Sequence, residues 1–177
     1  AQYLVEFQKM GGVSDRQTNY MLGYAYYMMD DWPNAEKFLF LVPGPDDRLS
    51  QNASYHLADV YLRRGDKQRA MQSFGIASSK GFDADIAEDA LFNYGKLQYE
   101  LGGGYFNEAI NVLNRYLALY PASKRAGQVK EYLAAAYYNS RNYDAAYEAI
   151  MQMPDPDNNV RAALQKITYF RALEQYQ

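Results

Sequence analysis

Four stretches of the chain repeat one order of apolar, small and ring positions. The first runs Leu22-Gly23-x-x-Tyr26 and then Ala35. The second runs Leu57-Ala58-x-x-Tyr61 and then Ala70, and the fourth Leu133-Ala134-x-x-Tyr137 and then Ala146. In these three the small residue and the later alanine stand 12 apart. The third stretch, Tyr94-Gly95-x-x-Gln98 and then Ala109, has a gap of 14, and its ring, Tyr99, comes one place late. Its two extra residues fall in Gly-Gly-Gly-Tyr at 102–105, a turn position where insertions are tolerated. Four and seven residues after each alanine an apolar residue follows: Leu39 and Val42, Phe74 and Ala77, Leu113 and Tyr116, Ile150 and Met153. Apolar positions three and four apart, interrupted by turn residues, predict two helices per stretch. Glycine or alanine at the two fixed small positions lets those helices approach closely, and the ring and apolar residues fill the seam.

Local signals agree. Ser14-x-x-Gln17 and Asp85-x-x-Glu88 read as capping boxes, and Pro-Asp-Pro-Asp-Asn-Asn at 154–159 reads as a loop ending in an N-cap. Alternation of strand type is missing over any useful length. One such helix pair cannot bury its own face, so stability has to come from stacking neighbours.

The pattern resembles the tetratricopeptide repeat, a helix–turn–helix of about 34 residues. Gly23, Ala58, Gly95 and Ala134 take its first small position, and Ala35, Ala70, Ala109 and Ala146 its alanine. Pro121 matches the proline near the end of the motif. The chain departs from it where a tryptophan is common, with Asn19, Ser54, Leu91 and Lys130 instead. The resemblance implies an all-α fold, a right-handed superhelix of antiparallel helix pairs. It divides the chain into a partial helix at 1–15, repeats at 16–50, 51–84, 85–124 and 125–158, and the first helix of a fifth repeat at 159–177. The last helix carries Tyr169, Phe170, Leu173 and Tyr176 without a second helix to cover them. The ends therefore suggest a piece of a longer array, and the unmatched terminal helices are candidates for self-association.

Tyrosine makes up 19 of the 177 residues, with four in Tyr-Met-Leu-Gly-Tyr-Ala-Tyr-Tyr at 20–27. The register sorts these rings. In the resembled family the residues three before, one after and four after the small residue face a concave groove. Helical spacing puts all three on one face. In the first repeat they are Tyr20, Tyr24 and Tyr27, while Tyr26 points into the seam. The second supplies Tyr55 and Asp59, with Arg63 beyond, the third Phe92, Lys96 and Tyr99, the fourth Glu131 and Tyr138, and the fifth helix Tyr169. Further polar groove candidates include Asn52 and Asn139. Rigid rings with polar tips suit recognition, although half-buried tyrosine also serves as plain packing. Tyr20 and Tyr24 occupy places where carboxylate-clamp members of the family carry lysine and asparagine, so capture of a C-terminal carboxylate in that manner is not expected.

Composition narrows the chemistry. Hydrophobic residues at 49% are too many for a disordered chain. A net charge of −3 argues against a general nucleic-acid binder. No cysteine is present, which removes disulfides and thiolate chemistry. No run is long and apolar enough for a transmembrane helix. The single histidine, His56, reads as a helix-face residue, and no nucleophile elbow accompanies it. The acidic cluster Asp83, Asp85, Glu88 and Asp89 lacks the spacing of a calcium loop and suits a helix start. No catalytic group, metal or cofactor is expected. The expected function is a non-catalytic scaffold that binds a protein or peptide in a tyrosine-lined groove. The alternative is a small-ligand or glycan site on the same rings, weakened because the only tryptophan, Trp32, sits at a turn. Stretches such as Glu-Asp-Ala-Leu-Phe-Asn-Tyr-Gly-Lys-Leu-Gln-Tyr-Glu-Leu-Gly look like the long tetratricopeptide proteins of Gram-negative envelopes. That likeness implies a periplasmic or outer-membrane-associated location and a part in envelope assembly, with the cytoplasm as the alternative.

Overall fold

A computed structural model describes residues 6, 15–42, 44–102, 106–153 and 158–176. The expected partial helix at 1–15 lies outside this set apart from Glu6 and Asp15. Ser14, residues 103–105 of the turn insertion and residues 154–157 of the expected loop lie outside it too. The described residues form helices α1 (Arg16–Tyr27), α2 (Trp32–Leu39), α3 (Arg48–Arg63), α4 (Lys67–Ser78), α5 (Ala84–Leu101), α6 (Asn107–Leu119), α7 (Ala126–Asn139), α8 (Tyr143–Met151) and α9 (Asn158–Gln175), with no strand among them. The chain divides into two compact units, unit 1 being Ala1–Tyr94 and unit 2 Gly95–Gln177.

Side-chain caps set the helix starts. Asp15 accepts from the Thr18 N–H at 2.7 Å, one residue beyond the expected Ser14. Asp47 and Ser50 form a reciprocal capping box at α3 that sequence reading did not single out. At α5 the acceptor is Asp83, 3.2 Å from the Ile86 N–H, rather than Asp85. Asp85 falls in the first turn, where a carboxylate still favours the helix dipole.

The turns joining first to second helices recur with one geometry. Asp30, Gly65 and Arg141 have φ of 57°, 79° and 60°. Each stands seven residues after the small residue of its repeat. The next residue, Asp31, Asp66 or Asn142, sends its N–H back to the carbonyl of the seam ring, Tyr26, Tyr61 or Tyr137, at 2.9–3.0 Å. Its side chain then caps the second helix. This is a Schellman-type ending that passes straight into an N-cap.

Within each unit the small positions do what their size predicts. Ala35, Ala58 and Ala70 in unit 1 and Ala109 and Ala146 in unit 2 have no exposed surface. A Cβ on Gly23 would stand 2.7 Å from Leu39 Cγ and 2.8 Å from the Leu39 backbone nitrogen. Tyr26 stacks on Phe38 at 5.6 Å and is buried, as is Tyr61. Unit 1 also buries Gln51 completely. Its amide donates to the carbonyls of Lys80 at 2.7 Å and Asp83 at 3.2 Å, and its oxygen accepts from the Asp83 N–H at 2.8 Å. One side chain thereby satisfies the backbone of the loop entering α5.

Gly23→Ala should lower stability by about 1–3 kcal/mol, because backbone cannot yield to the new methyl. Gly127→Ala, where a Cβ meets nothing within 4 Å, should be neutral or stabilising in urea denaturation. Arg141→Gly should stabilise by about 1 kcal/mol by removing a side chain from the left-handed region, read as a rise in the urea midpoint at unchanged slope.

Candidate functional site

In unit 1 the expected ladder is present on α1. Tyr20 and Tyr24 stack with centroids 6.1 Å apart and planes 14° apart, and Tyr24 and Tyr27 repeat this at 6.1 Å and 16°. The rings lie over α3, and the imidazole of His56 is their common neighbour. Its centroid is 4.9 Å from Tyr24, 5.1 Å from Tyr27, 6.3 Å from Tyr20 and 5.6 Å from Tyr55. Burial pushes His56 below its ordinary pKa while the Asp59 carboxylate pulls the other way. A histidine so placed is neutral at pH 7. His56 Nδ1 and Asn52 Oδ1, one helical turn apart, are buried without a hydrogen-bond partner among the described residues.

Two of the ring hydroxyls are already engaged. Tyr27 donates to Asp59 Oδ2 at 2.7 Å, and Arg63 Nε donates to the same oxygen at 2.8 Å. The Arg63 guanidinium lies 4.7 Å above the Trp32 ring, which Tyr27 meets edge-on. Tyr55 donates to Asp89 Oδ2 at 2.6 Å, an oxygen shared with the Asn93 amide. Burial and the neighbouring Asp59 push Tyr27 up to about 12. Burial and Asp89 raise Tyr55 further still. These bonds join side chains 32 and 34 residues apart, so they tie successive first helices together. Tyr24 is the most open of the three α1 rings, with 39% of its surface exposed. Phe92, expected on the same face, is buried.

In unit 2 the same register encloses a cavity of about 260 Å³. Tyr99, Glu131, Tyr138 and Asn139 are among the residues that line it. Ala134 and Ala135 of α7, Ile150 of α8, and Val160, Ala163 and Ile167 of α9 give it apolar walls. Asn139 donates its amide to the Tyr99 hydroxyl at 3.2 Å, and the Tyr99 ring also contacts Tyr132 and Phe106. Tyr138 meets Tyr143 edge-on at 5.9 Å. Lys96 stands 3.8 Å from Glu100. Tyr169 is exposed, touches Phe170 and does not line the cavity. The structure thus gathers Tyr20, Tyr24, Tyr27, Tyr55, Asp59 and Arg63 in unit 1, and Tyr99, Glu131 and Tyr138 in unit 2. Sequence reading missed the central position of His56 and the isoleucine walls contributed by α8 and α9. Another cavity in unit 1, about 250 Å³ between α2, α3 and α4, holds none of the expected residues.

Comparison with known proteins points to the same repeat family. The tetratricopeptide repeat model matches residues 52–77 and 89–123. Those two stretches carry tetratricopeptide repeats. Among solved structures it resembles the crystal structure of MamA, with a TM-score of 0.56 at 16% identity, over 93% of this chain and 82% of that one. At that identity the likeness concerns the fold, an all-α tetratricopeptide solenoid. No curated protein sequence matches the chain.

The raised pKa of Tyr27 gives a pH signature. Below pH 10 both folded and unfolded chains keep the phenol proton, and the contribution is fully present. Between pH 10 and 12 the unfolded chain loses the proton first, so stability falls as pH rises. Tyr55 acts with the same sign. Urea denaturation from pH 9 to 12 should show a shallower loss in Tyr27→Phe than in the parent chain; parallel curves would count against the Asp59 bond.

Proposed function

We propose that the chain is a non-catalytic interaction scaffold that holds a peptide segment of a partner protein against its first-helix face. The observation that carries this reading is the unit 2 cavity. Three residues from the recognition register, Tyr99, Glu131 and Tyr138, surround an opening with apolar walls. Ligand sites are commonly concave and largely apolar with a few placed polar groups. Tetratricopeptide repeats suit such work because stacked helices present a preformed face and the partner alone has to become ordered. In unit 1 the exposed Tyr24 ring and the Asp59–Arg63 pair would offer a contact surface of their own. The peptide reading is preferred to a glycan platform because Trp32, the ring best suited to stacking on sugar, already has Arg63 over one face. The likeness to envelope tetratricopeptide proteins supports a place in the periplasm or at the outer membrane, which fractionation of the source cell would test.

A display library of random nonapeptides, selected on the immobilised chain, tests the reading. Ala135→Phe should block the cavity and reduce capture of selected peptides at least tenfold with little change in melting temperature. Tyr24→Ala should weaken peptides that bind unit 1 while leaving stability nearly unchanged. Tyr26→Ala should do the reverse, lowering stability by about 3 kcal/mol as a buried aromatic truncation. Equal destabilisation by Tyr24→Ala and Tyr26→Ala, or selected peptides indifferent to Ala135→Phe, would remove the reading.

A further inference from the structure

The unit 2 cavity has a charge asymmetry that specifies its occupant. Glu131 is the only charged side chain among the described residues lining it. It lies on the exposed side of α7 and has no ion-pair partner among the described residues. The other carboxylate close by is Glu100, which has Lys96 beside it. Glu100 and Glu131 both act on the phenol of Tyr132, whose ring packs on Tyr99. Of these two carboxylates, the one that lines the cavity, Glu131, has no cation beside it among the described residues.

The rest of the lining includes Ala134, Ala135, Ile150 and Ile167, which offer no charge and no side-chain hydrogen bond. The rings of Tyr99 and Tyr138 also line it. A cavity of about 150 Å³ can hold a benzene ring, so one of about 260 Å³ has room for a single long side chain rather than a helix. Each neighbourhood selects a different part of that side chain. Alanine and isoleucine suit a methylene stem, tyrosine faces attract a cation within about 6 Å, and an unpaired carboxylate completes the charge. A purely apolar side chain would leave Glu131 unused, and an acidic one would be repelled by it.

We propose that this cavity takes one basic side chain, lysine or arginine, of a partner peptide, its stem on the alanine and isoleucine walls and its charge at Glu131. The inference rests on the peptide-binding reading of unit 2 and adds the chemistry of the residue that enters.

The test uses random nonapeptides displayed and selected on the whole chain and, in parallel, on Glu131→Gln. Glu131 is exposed, so the variant should melt with the parent. The parent should select peptides with a recurrent lysine or arginine, and the variant should not. In a synthetic selected peptide, replacing that residue by norleucine should weaken binding about tenfold to the parent and less than twofold to Glu131→Gln. The lysine-to-arginine exchange then shows which cation fits better. Selected peptides that lack a recurrent basic residue yet lose binding in Ala135→Phe would overturn this inference and leave the groove standing. Equal binding of the norleucine peptide to the parent chain would do the same. Peptides unaffected by Ala135→Phe, or failure to select any, would overturn both.

Discussion

The distance between the first and second helix of each repeat governs the remaining geometry. At Gly23 the helices are so close that the Leu39 backbone nitrogen stands 2.8 Å from where a Cβ would be. Completely buried alanines hold the same approach elsewhere in the two units. Once a small residue is fixed in the seam, helical geometry dictates the orientation of its neighbours. In the first repeat the ring three residues on, Tyr26, enters the core, while Tyr20, Tyr24 and Tyr27 form a separate stack; in the third, Phe92 is buried. The proposed recognition surface is thus a consequence of packing.

The core was legible for this reason. Residues four and seven beyond each alanine, from Leu39 and Val42 to Ile150 and Met153, are all buried. They recur at fixed spacing and admit few chemical types. The turns were less legible. Gly65 marks one left-handed residue, but the equivalent places hold Asp30 and Arg141, whose side chains carry no such signal. The backbone hydrogen bonds of the Schellman ending and the following Asp or Asn cap hold them there. Those groups are shared by every sequence that can form the turn. Gln51 escaped notice for a related reason, since a buried glutamine is recognisable only when the carbonyls it serves are in view.

The site was legible in direction and illegible in depth. Spacing places Tyr20, Tyr24 and Tyr27 on one face, and they form that stack. Spacing does not reveal that Tyr27 and Tyr55 donate hydrogen bonds to aspartates some thirty residues later. Nor does it show that His56 fills the space beneath the rings. These are contacts between repeats, whereas the spacing rules operate within one. The tyrosines consequently divide between two duties. Those with engaged hydroxyls tie helices together, and the more open ones, Tyr24 above all, remain accessible to a partner.

A single register position explains why one face is closed and the other hollow. The residue immediately after the small residue is Tyr24 in the first repeat and Ala135 in the fourth. In unit 1 the Tyr24 ring bridges its two neighbours and lies 4.9 Å from His56, which fills the face with stacked aromatic surface. In unit 2 the methyl of Ala135 stops short, and the space beside it remains as a cavity with Ile150 and Ile167 at its walls. The residue three before completes the contrast. It is Tyr20 beside the closed stack and an exposed Glu131 beside the open cavity. An alanine makes the room, a carboxylate joins its lining, and the tyrosine four residues on from Ala134, Tyr138, supplies the ring. Repeats of one fold thereby acquire different surfaces through residues that the packing constraint leaves free to vary.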